Sequence, residues 1–225
     1  MRIIKPSYEI MTPINRNEIL KTLEVAGRTC YKSEDKITED SATKFVAGII
    51  KRRHETILEH EKITVRVICD RGVSHEIVRH RLASYSQEST RYCNYGKQDE
   101  ITFIIPPWVD ICPGIYDASN LIDVAEIKES WYYWCASMLA SEEAYLDLLD
   151  EGWEPQQARS VLPNSLKTEI VMTMNLREWR HFFKLRAVGT TGKPHPQMVE
   201  LTVPLLAEFK KLIPVVFDDI LVEDN

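Results

Sequence analysis

The sequence predicts an α+β fold: a single domain with a mixed or antiparallel sheet that is flanked by helices, one of them long. Strand-like and helix-like segments follow one another without a regular βαβ repeat. The 225 residues, 44% hydrophobic and 28% charged, are enough to bury a substantial core. No repeat, low-complexity tract or linker divides the chain, so we expect one domain over residues 1–225.

The first half of the chain mixes predicted strands and helices. Residues 1–10 are expected to open as a strand, and Asn15 with Glu18 three residues later predicts a capped helix that Gly27 ends. Apolar residues spaced i, i+3, i+4, i+7 and i+8 from Ala42 to Ile50 indicate a second helix. The other elements predicted in this half are strands at 63–68 and 101–105 and a short helix from Gly72 to about His80.

Helices dominate the second half. The segment from Leu121 to about Glu151 predicts one long helix that Gly152 stops. Its aromatic run, Trp131 to Trp134, is expected to pack in the core or at a subunit contact, with cofactor stacking as the alternative. The other elements predicted here are a short helix opened by Pro155, a strand at Lys167–Asn175, and helices at Leu176–Arg186 and Pro196–Lys211.

Composition and charge argue against several functional classes. A net charge of -6 and a pI of about 5.6 do not suit general nucleic-acid binding, which usually needs a basic surface. No apolar run approaches the ~20 residues that span a bilayer, and the first residues do not resemble a signal peptide. The five cysteines are odd in number and form no CxxC pair, so we expect buried or idle thiols in a reducing cytoplasm.

Common motifs for metals, nucleotides and nucleophiles are absent from the sequence. There is no Walker A loop, no GxGxxG and no GxSxG elbow. His54 and His60 flank two glutamates, but histidines six apart do not share a helix face as a zinc-protease motif requires. We therefore predict no metal site. A turn at a helix end is another interpretation of this segment.

One short segment concentrates positive charge in this acidic chain. It runs from Arg79 to Tyr92 and holds three arginines, a histidine and several hydroxyls. Arginine suits phosphate and carboxylate because its planar fork donates two parallel hydrogen bonds. A lone Arg-His-Arg is more often a solvated helix end. The full pattern Arg79-His80-Arg81-x-x-Ser84-x-x-x-x-Ser89-x-Arg91 resembles the signature of flavin-dependent thymidylate synthases.

Other segments are similar to this family in the same order along the chain. The resemblance covers most of the chain, from roughly Arg28 to the region of His195. Taken singly, Arg159, Arg177 and Arg186 would more often be surface residues than ligands. The matching segments are His54-Glu55-Thr56 with Glu59-His60, Gln157-Ala158-Arg159, Asn175-Leu176-Arg177 and Phe182-Phe183-Lys184-Leu185-Arg186.

The resemblance implies the reductive methylation of dUMP to dTMP. Methylene-tetrahydrofolate would give the one-carbon unit, and FAD reduced by NADPH would supply the hydride. The partners would be dUMP and the folate, and the assembly would be a homotetramer whose subunits share sites. The missing signal peptide and membrane span, and not the resemblance, predict a cytoplasmic location. With only eight glycines, the chain would hold FAD mainly through side chains.

The resemblance also implies a role for each matching residue. Arg186 and Ser89 are the expected catalytic residues. Arg186 would polarise the pyrimidine. Ser89 would be a hydrogen-bonding ligand of the phosphate or the base, since serine needs an adjacent base to be a nucleophile. The residues expected to bind the cofactor are His54, Thr56, Arg79, His80, Arg81, Glu88, Asn175, Arg177, His181 and His195. The residues expected to bind the nucleotide are Glu76, Gln87, Ser89, Arg91, Arg159 and Arg186.

Two other functions stay open from the sequence. A nucleic-acid-binding module would place the Arg-His-Arg segment on a phosphate backbone and stack Tyr85, Tyr92 and Tyr95 on bases. The acidic pI counts against it. The second open function is that of a flavoprotein of the same fold that has lost methyl transfer and only oxidises NADPH. The residues that match the nucleotide pocket of the family argue against this function.

Overall fold

A computed structural model describes residues 1–97 and 101–222 of the chain. The chain divides into two compact units, each built from separate segments. Because the segments of the two units alternate along the sequence, no single linker separates them. A single domain over residues 1–225 stays a prediction. Unit 1 consists of Met1–Ser7, Val67–Arg79 and Ser86–Ile170, and unit 2 of Tyr8–Arg66, His80–Tyr85 and Val171–Asn225.

Strands and helices alternate through the described residues. The strands are β1 (Arg2–Ile4), β2 (Ser7–Ile10), β3 (Lys62–Asp70), β4 (Ala83–Gln87), β5 (Thr102–Ile104), β6 (Gly114–Ile115) and β7 (Lys167–Asn175). The helices are α1 (Arg16–Thr29), α2 (Ser41–Arg52), α3 (Arg71–Ile77), α4 (Leu121–Ile127), α5 (Glu129–Asp150), α6 (Pro155–Ala158), α7 (Leu176–Phe183), α8 (Pro196–Leu212) and α9 (Pro214–Phe217). Short 3₁₀ turns lie at Glu34–Lys36, Glu55–His60, Tyr95–Lys97 and Arg159–Val161, and a π-helical turn lies at Lys184–Val188.

The strands form two sheets. One has the order β5-β1-β6, in which β1 pairs in parallel with β5 and antiparallel with β6. The other has the order β2-β3-β7-β4. A mixed sheet and abundant helices confirm the α+β class that the sequence predicts.

Unit 1 has an apolar core that includes the sheet β5-β1-β6 and the helix α5. Ile3, Phe103 and Tyr145 are fully buried in it. Within the aromatic run of α5, Tyr133 is 60% exposed. The other three aromatic residues, Trp131, Tyr132 and Trp134, pack against the core as the sequence predicts.

Unit 2 has an aromatic core beneath α7. The rings of Trp179 and Phe183 stack with their centroids 5.5 Å apart, and Phe209 lies 4.9 Å from Trp179. The buried indole N–H of Trp179 donates to the Ile63 carbonyl at 3.0 Å, so it carries no unsatisfied donor. This core fixes the helix that carries several predicted site residues.

Gly27 does not end α1, which continues to Thr29. A Cβ atom at Gly27 would lie 2.6 Å from the ring of Phe45 and 2.9 Å from the side chain of Ile57. The glycine is therefore needed for close packing inside unit 2 and not for a left-handed helix end.

Three other elements differ from the sequence prediction. The long helix is interrupted at Lys128, which is extended with ψ 119°, so α4 and α5 are separate helices. Neither glycine nor proline marks this break, so periodicity does not reveal it. The helix predicted to reach Arg186 ends at Phe183 and continues as the π-helical turn. Residues 1–10 form two strands because Pro6 lacks an N–H for a sheet ladder.

The strand β4 has no counterpart in the sequence prediction. Its residues, Ala83 to Gln87, are mostly polar and lack the apolar alternation that identifies a half-buried strand. Among the helices within residues 1–97 and 101–222, none combines the length and the hydropathy that crossing a membrane requires.

Candidate active site

The predicted site residues divide between the two units. The positions that belong to unit 1 are Glu76, Arg79, Gln87, Glu88, Ser89, Arg91 and Arg159. The positions that belong to unit 2 are His54, Thr56, His80, Arg81, Asn175, Arg177, His181, Arg186 and His195.

Unit 1 contains a pocket of about 440 Å³ that we name the arginine pocket. Arg71 and Arg159 both line it, together with Thr90. Arg159 Nη1 donates a hydrogen bond to Thr90 Oγ1 at 3.0 Å. Among the residues that the structure describes, no carboxylate lines this pocket. Two guanidinium groups in a lining without a carboxylate make the pocket suited to an anion.

Local capping holds both arginines in place. Arg71 begins α3, directly after β3 ends at Asp70, and Asp70 Oδ1 accepts a hydrogen bond from the Val73 N–H at 2.7 Å. The backbone N–H of Arg71 donates to the Asn164 carbonyl at 2.9 Å. Arg159 follows α6, a short helix with proline at its start and a capping box.

Arg71 carries an unsatisfied donor. Its Nη1 atom is buried, and it has no hydrogen-bond partner within the described residues. A buried donor without a partner is costly, and such cases in proteins usually have a functional or structural reason. The sequence analysis names neither Arg71 nor Thr90. A signal was present, because Asp70-Arg71 is a charged pair at the end of an apolar strand.

The side chains of Gln87 and Glu88 make hydrogen bonds and an ion pair within unit 1. Gln87 Nε2 donates to Ser74 Oγ at 2.9 Å and to Thr168 Oγ1 at 3.2 Å. Glu88 pairs with Lys167 Nζ at 3.0 Å. In the described part of the chain, neither side chain lines the arginine pocket. Their predicted contacts with nucleotide and cofactor stay predictions.

The remaining predicted positions of unit 1 lie near its surface. Ser89 Oγ accepts a hydrogen bond from the Arg91 N–H at 3.3 Å, and the exposed Arg91 guanidinium lies 5.4 Å from the centroid of the Tyr92 ring. Arg79 is exposed and Glu76 is half-buried. The structure places Ser89 next to Thr90 of the arginine pocket, and it leaves Arg79 and Arg91 open to solvent.

Unit 2 contains a hydrogen-bonded relay centred on His80. Arg186 Nε donates to His80 Nε2 at 3.1 Å, and His80 Nδ1 lies 3.3 Å from Glu178 Oε1. An imidazole that accepts at Nε2 carries its proton on Nδ1, so His80 donates to Glu178. Both His80 and Glu178 are buried. The relay thereby orients the guanidinium of Arg186.

The surroundings of His80 favour the neutral form of its imidazole. Burial, together with the charges of Arg186 and His181, lowers the pKa of His80 to about 4. Burial raises the pKa of Glu178, although the charges of His181 and Arg177 oppose this. At neutral pH the contact between His80 and Glu178 is therefore a hydrogen bond that a neutral ring donates to the carboxyl group, and not an ion pair.

The backbone around the relay is fixed by caps and by a π-helical turn. Asn175 Oδ1 accepts from the Glu178 N–H at 2.8 Å at the start of α7. Arg186 lies within the π-helical turn, and Thr202 Oγ1 donates to its carbonyl at 2.7 Å. Gly189 ends the turn with φ 81°, in the left-handed region that favours glycine. Turns of this kind occur often at functional sites.

His80, Glu178 and His181 also form a cluster with metal-ligand chemistry. Their candidate ligand atoms lie within 4.8 Å of one another. Both ring nitrogens of His80 are already hydrogen-bonded, one by Arg186 and one to Glu178. In this arrangement His80 links Arg186 to Glu178 by hydrogen bonds. The absence of a metal site stays a prediction.

A second pocket, of about 380 Å³, lies within unit 2, and we name it the Asn175 pocket. Three of the residues predicted to bind the cofactor, Asn175, Arg177 and His181, line it. Arg177 Nη1 pairs with Glu59 at 2.6 Å, and Leu82, which also lines the pocket, is 69% exposed. The structure thus brings together residues from two separate sequence motifs.

The chemistry of the Asn175 pocket fits a flavin cofactor. Asn175 uses its oxygen to cap α7, which leaves an amide NH₂ to donate. Lys184 also lines the pocket, where it pairs with Glu55 at 3.7 Å. The apolar side chain of Leu82 offers contact area for a ring system. The carboxylate of Glu59 is already paired with Arg177.

The other predicted cofactor residues of unit 2 are not brought into this pocket. His54, Thr56 and Arg81 are exposed. His195 caps α8, where its Nδ1 accepts from the Gln197 N–H at 3.4 Å. Within the described residues, none of these four lines the Asn175 pocket.

Comparison with known proteins finds a family match and several similar relatives. Residues 14–215 match the family described as thymidylate synthase complementing protein. The chain is 34% identical over 202 residues to the flavin-dependent thymidylate synthase of Geobacter sulfurreducens, covering 87% of this chain and 79% of that protein. It is 33% identical over 204 residues to the protein of that name from Corynebacterium diphtheriae, covering 88% and 77%.

A solved structure has a similar fold. The crystal structure of the UMP/dUMP methylase PolB from Streptomyces cacaoi, bound with 5-Br dUMP, aligns with a TM-score of 0.72 and 22% identity. The alignment covers 97% of this chain and 96% of that chain. The family match extends over most of the sequence, and relatives above 30% identity share it. The chain is therefore an enzyme of the thymidylate synthase complementing protein family, the flavin-dependent thymidylate synthases.

Proposed function

We propose that this enzyme carries out the reductive methylation of dUMP to dTMP. The one-carbon donor is methylene-tetrahydrofolate, and the hydride source is FAD reduced by NADPH. The observation that carries the proposal is the arginine pocket, where Arg71 and Arg159 line a cavity without a carboxylate among the described residues. Such a pocket suits the phosphate of a nucleotide. The names of the relatives support methyl transfer with a flavin.

Arg186 is proposed to act on the pyrimidine. Its Nε donates to His80 at 3.1 Å, which restrains the plane of the guanidinium. A fixed positive charge at the uracil edge stabilises the negative charge that develops as the ring attacks the methylene carbon. His80 and Glu178 serve as positioning residues for this charge.

FAD supplies the redox chemistry when it is bound, and the protein binds and orients it. Asn175, Arg177 and His181 are proposed to hold it, since they share one pocket with suitable donors. Ser89 is proposed as a hydrogen-bonding ligand of the nucleotide, as are Glu76, Gln87 and Arg91. Further cofactor contacts are proposed for His54, Thr56, Arg79, His80, Arg81, Glu88 and His195.

A homotetramer with shared sites is part of the proposal. His54, Thr56, Arg81 and His195 are exposed outside the Asn175 pocket, so in one chain they do not converge with the residues that line it. Contacts from neighbouring subunits would complete a binding site for a ligand as large as FAD. A cytoplasmic location and the lack of a nucleic-acid partner are proposed as well.

The direct test is product formation. The purified protein is incubated with dUMP, methylene-tetrahydrofolate, FAD and NADPH, and dTMP is measured by mass spectrometry, with each component left out in turn. The proposal expects dTMP only in the complete mixture. NADPH oxidation without dTMP would favour the flavoprotein that has lost methyl transfer. Salt-dependent binding of single-stranded DNA without dTMP would favour the nucleic-acid module.

A further inference from the structure

We infer that Arg180 is a positioning residue for the flavin site, because it holds the turn Glu55–His60 against α7 and thereby sets the wall of the Asn175 pocket. The inference rests on the proposed function, which assigns this pocket to FAD. Arg180 belongs to none of the segments that match the family in the sequence analysis. All the residues concerned belong to unit 2.

The guanidinium of Arg180 is buried and makes four hydrogen bonds. The residue is only 1% exposed. Nη1 and Nη2 donate to the two carboxylate oxygens of Asp219 at 2.6 and 2.7 Å, and Nη1 also donates to the Val216 carbonyl. Nε donates to Glu55 Oε1 at 3.3 Å. The parallel bonds to Asp219 fix the plane of the guanidinium, so the direction in which Nε points is fixed as well.

Two carboxylates keep this buried arginine charged. Burial favours the neutral form of Arg180, but the hydrogen bonds and charges of Asp219 and Glu55 outweigh burial and raise its pKa. A buried ion pair often stabilises a fold no more than apolar residues of similar volume. We therefore expect the main contribution of Arg180 to be geometric, since it determines where the Glu55 carboxylate lies.

Glu55 connects Arg180 to the pocket. It lines the Asn175 pocket, whereas Arg180 is absent from that lining within the described residues. Glu55 also begins the turn Glu55–His60 and lies between His54 and Thr56, which are both proposed as flavin contacts. A shift of the Glu55 carboxylate would therefore change the wall of the pocket and the positions of these two neighbours.

Two ion pairs on the exposed side of the pocket are weaker contacts between the turn and α7. Arg177 and Glu59 pair at 2.6 Å, but their side chains are 46% and 44% exposed, and exposed pairs contribute little. Lys184 Nζ lies 3.7 Å from Glu55 Oε1, which is too long for a hydrogen bond. The buried bond from Arg180 is therefore the polar contact that fixes the Glu55 carboxylate.

Other contacts keep the turn folded when Arg180 is replaced. Ile57 and Leu58 of the turn are buried. Just after the turn, the Glu61 carbonyl accepts from the Leu176 N–H at 2.9 Å. A substitution of Arg180 is therefore expected to shift the turn by a small distance and not to unfold it.

Calorimetric titration of FAD into the full-length protein, freed of flavin, tests the inference. Arg180→Lys is the main variant, because lysine keeps the charge but lacks the planar fork that meets Asp219 and Glu55 together. Asp219→Asn is the second variant, since Asp219 is 48% exposed and does not line the pocket among the described residues. The matched controls are Arg66→Lys and Glu9→Gln, which alter an exposed ion pair of the same unit.

We expect Arg180→Lys to raise the Kd for FAD about three- to tenfold, which lies within the range of coupling between side chains of one network. Asp219→Asn should raise the Kd by a smaller factor, because asparagine keeps one acceptor oxygen for the guanidinium instead of two. Both controls should bind FAD as the wild type does.

A double variant separates positioning from a general structural effect. If Arg180 acts through Glu55, adding Arg180→Lys to Glu55→Gln should raise the Kd for FAD by less than about twofold. Denaturant unfolding of the same proteins measures any loss of stability. A purely structural role would lower stability and leave the Kd for FAD of the folded protein unchanged.

Two results would overturn the inference. One is a Kd for FAD of Arg180→Lys equal to that of the wild type. The other is an equal effect of Arg180→Lys with and without Glu55→Gln. If Arg180→Lys does not fold, Asp219→Asn, alone and combined with Glu55→Gln, decides in the same way. A wild-type protein that does not bind FAD would contradict the proposed function itself, independently of any variant.

Discussion

The Nε atom of Arg186 is held by a buried histidine. It donates to the imidazole, and that imidazole is oriented in turn by Glu178. A chain of this kind fixes a charge without neutralising it, because His80 is neutral at pH 7.

Replacing Arg186 should separate catalysis from cofactor binding. We expect Arg186→Ala to lower kcat for dTMP formation by about 10²–10³-fold, the size typical of removing a charge-stabilising donor. FAD should stay bound, because the Asn175 pocket is not lined by Arg186. Turnover and flavin absorbance are measured on the same preparation, with Arg16→Ala as control. Normal turnover in Arg186→Ala would show that the residue has another role.

His80 should make folding stability depend on pH. The pKa of His80 is about 4 in the folded protein and 6.5 in a model peptide. Between pH 4 and pH 6.5, His80 is therefore protonated in the unfolded chain and neutral in the folded chain. Stability should therefore be fully present above pH 6.5 and fall as the pH drops towards 4, by at most about 3 kcal/mol.

Denaturant unfolding of the wild type and of His80→Gln at pH 7.0, 5.5 and 4.5 checks this effect of pH. The wild type should lose more stability on acidification than the variant, because glutamine does not titrate. Glu178 is present in both proteins, so its titration contributes to both curves. Parallel curves for the two proteins would rule out His80 as the cause.

At the residue level, the sequence identifies site residues that belong to a motif. It misses site residues whose role depends on a contact between distant positions. Arg159 and Arg186 could be named because they stand in segments that match a family. Arg71 has only a weak signal, the charged pair Asp70-Arg71 after an apolar strand, and Thr90 has none. Their pocket exists only once Thr90 and Arg159, which are 69 positions apart, meet at 3.0 Å. Glu178 was missed for the same reason, since its partner His80 lies 98 positions away.

At the level of elements, close packing explains a residue that the sequence suggested for another purpose. Glycine often ends a helix, yet Gly27 lies inside α1 against the ring of Phe45. Gly48 lies inside α2, where the atoms nearest to an added Cβ belong to the side chain of Arg52, at 3.6 Å or more. The two glycines form a natural pair for comparison.

Substituting each glycine by alanine should change stability in opposite directions. We expect Gly27→Ala to cost about 1–3 kcal/mol, because the new methyl group would overlap with Phe45. Gly48→Ala should stabilise by about 0.5–1 kcal/mol, because alanine favours a helix and has room there. Thermal or denaturant unfolding measures both. A change of the same sign in the two variants would contradict this account.

Strong periodicity predicts elements well, and weak periodicity does not. The strand β7 has the bounds that the sequence predicts, because its residues alternate between buried and half-buried positions. The strand β4 is missed, since its side chains are mostly polar and its pairing comes from the sheet. The π-helical turn is likewise invisible in the sequence, although it carries Arg186.

At the level of the whole molecule, composition and order predict the fold class but not its internal division. The α+β class follows from mixed strands and helices, and the structure confirms it. The two interleaved units could not be foreseen, because no linker or change in composition marks their borders. The assembly of several chains is even less visible, since it depends on surfaces and not on motifs.

Sedimentation velocity tests the proposed assembly. We expect a particle of four times the 26.1 kDa mass of the chain at micromolar concentration. The physical reason is that a ligand as large as FAD needs contacts beyond the residues that converge in the Asn175 pocket. A fully active monomer at the same concentration would contradict shared sites.

The central claim is that a flavin and dUMP meet in one site. The visible absorption spectrum of the FAD-loaded protein, recorded while dUMP is titrated in, tests it most directly. The account predicts a yellow protein whose flavin bands shift and saturate with dUMP, because a nearby nucleotide alters the surroundings of the ring. A protein that takes up no FAD, or one whose flavin bands stay unchanged at saturating dUMP, would contradict it.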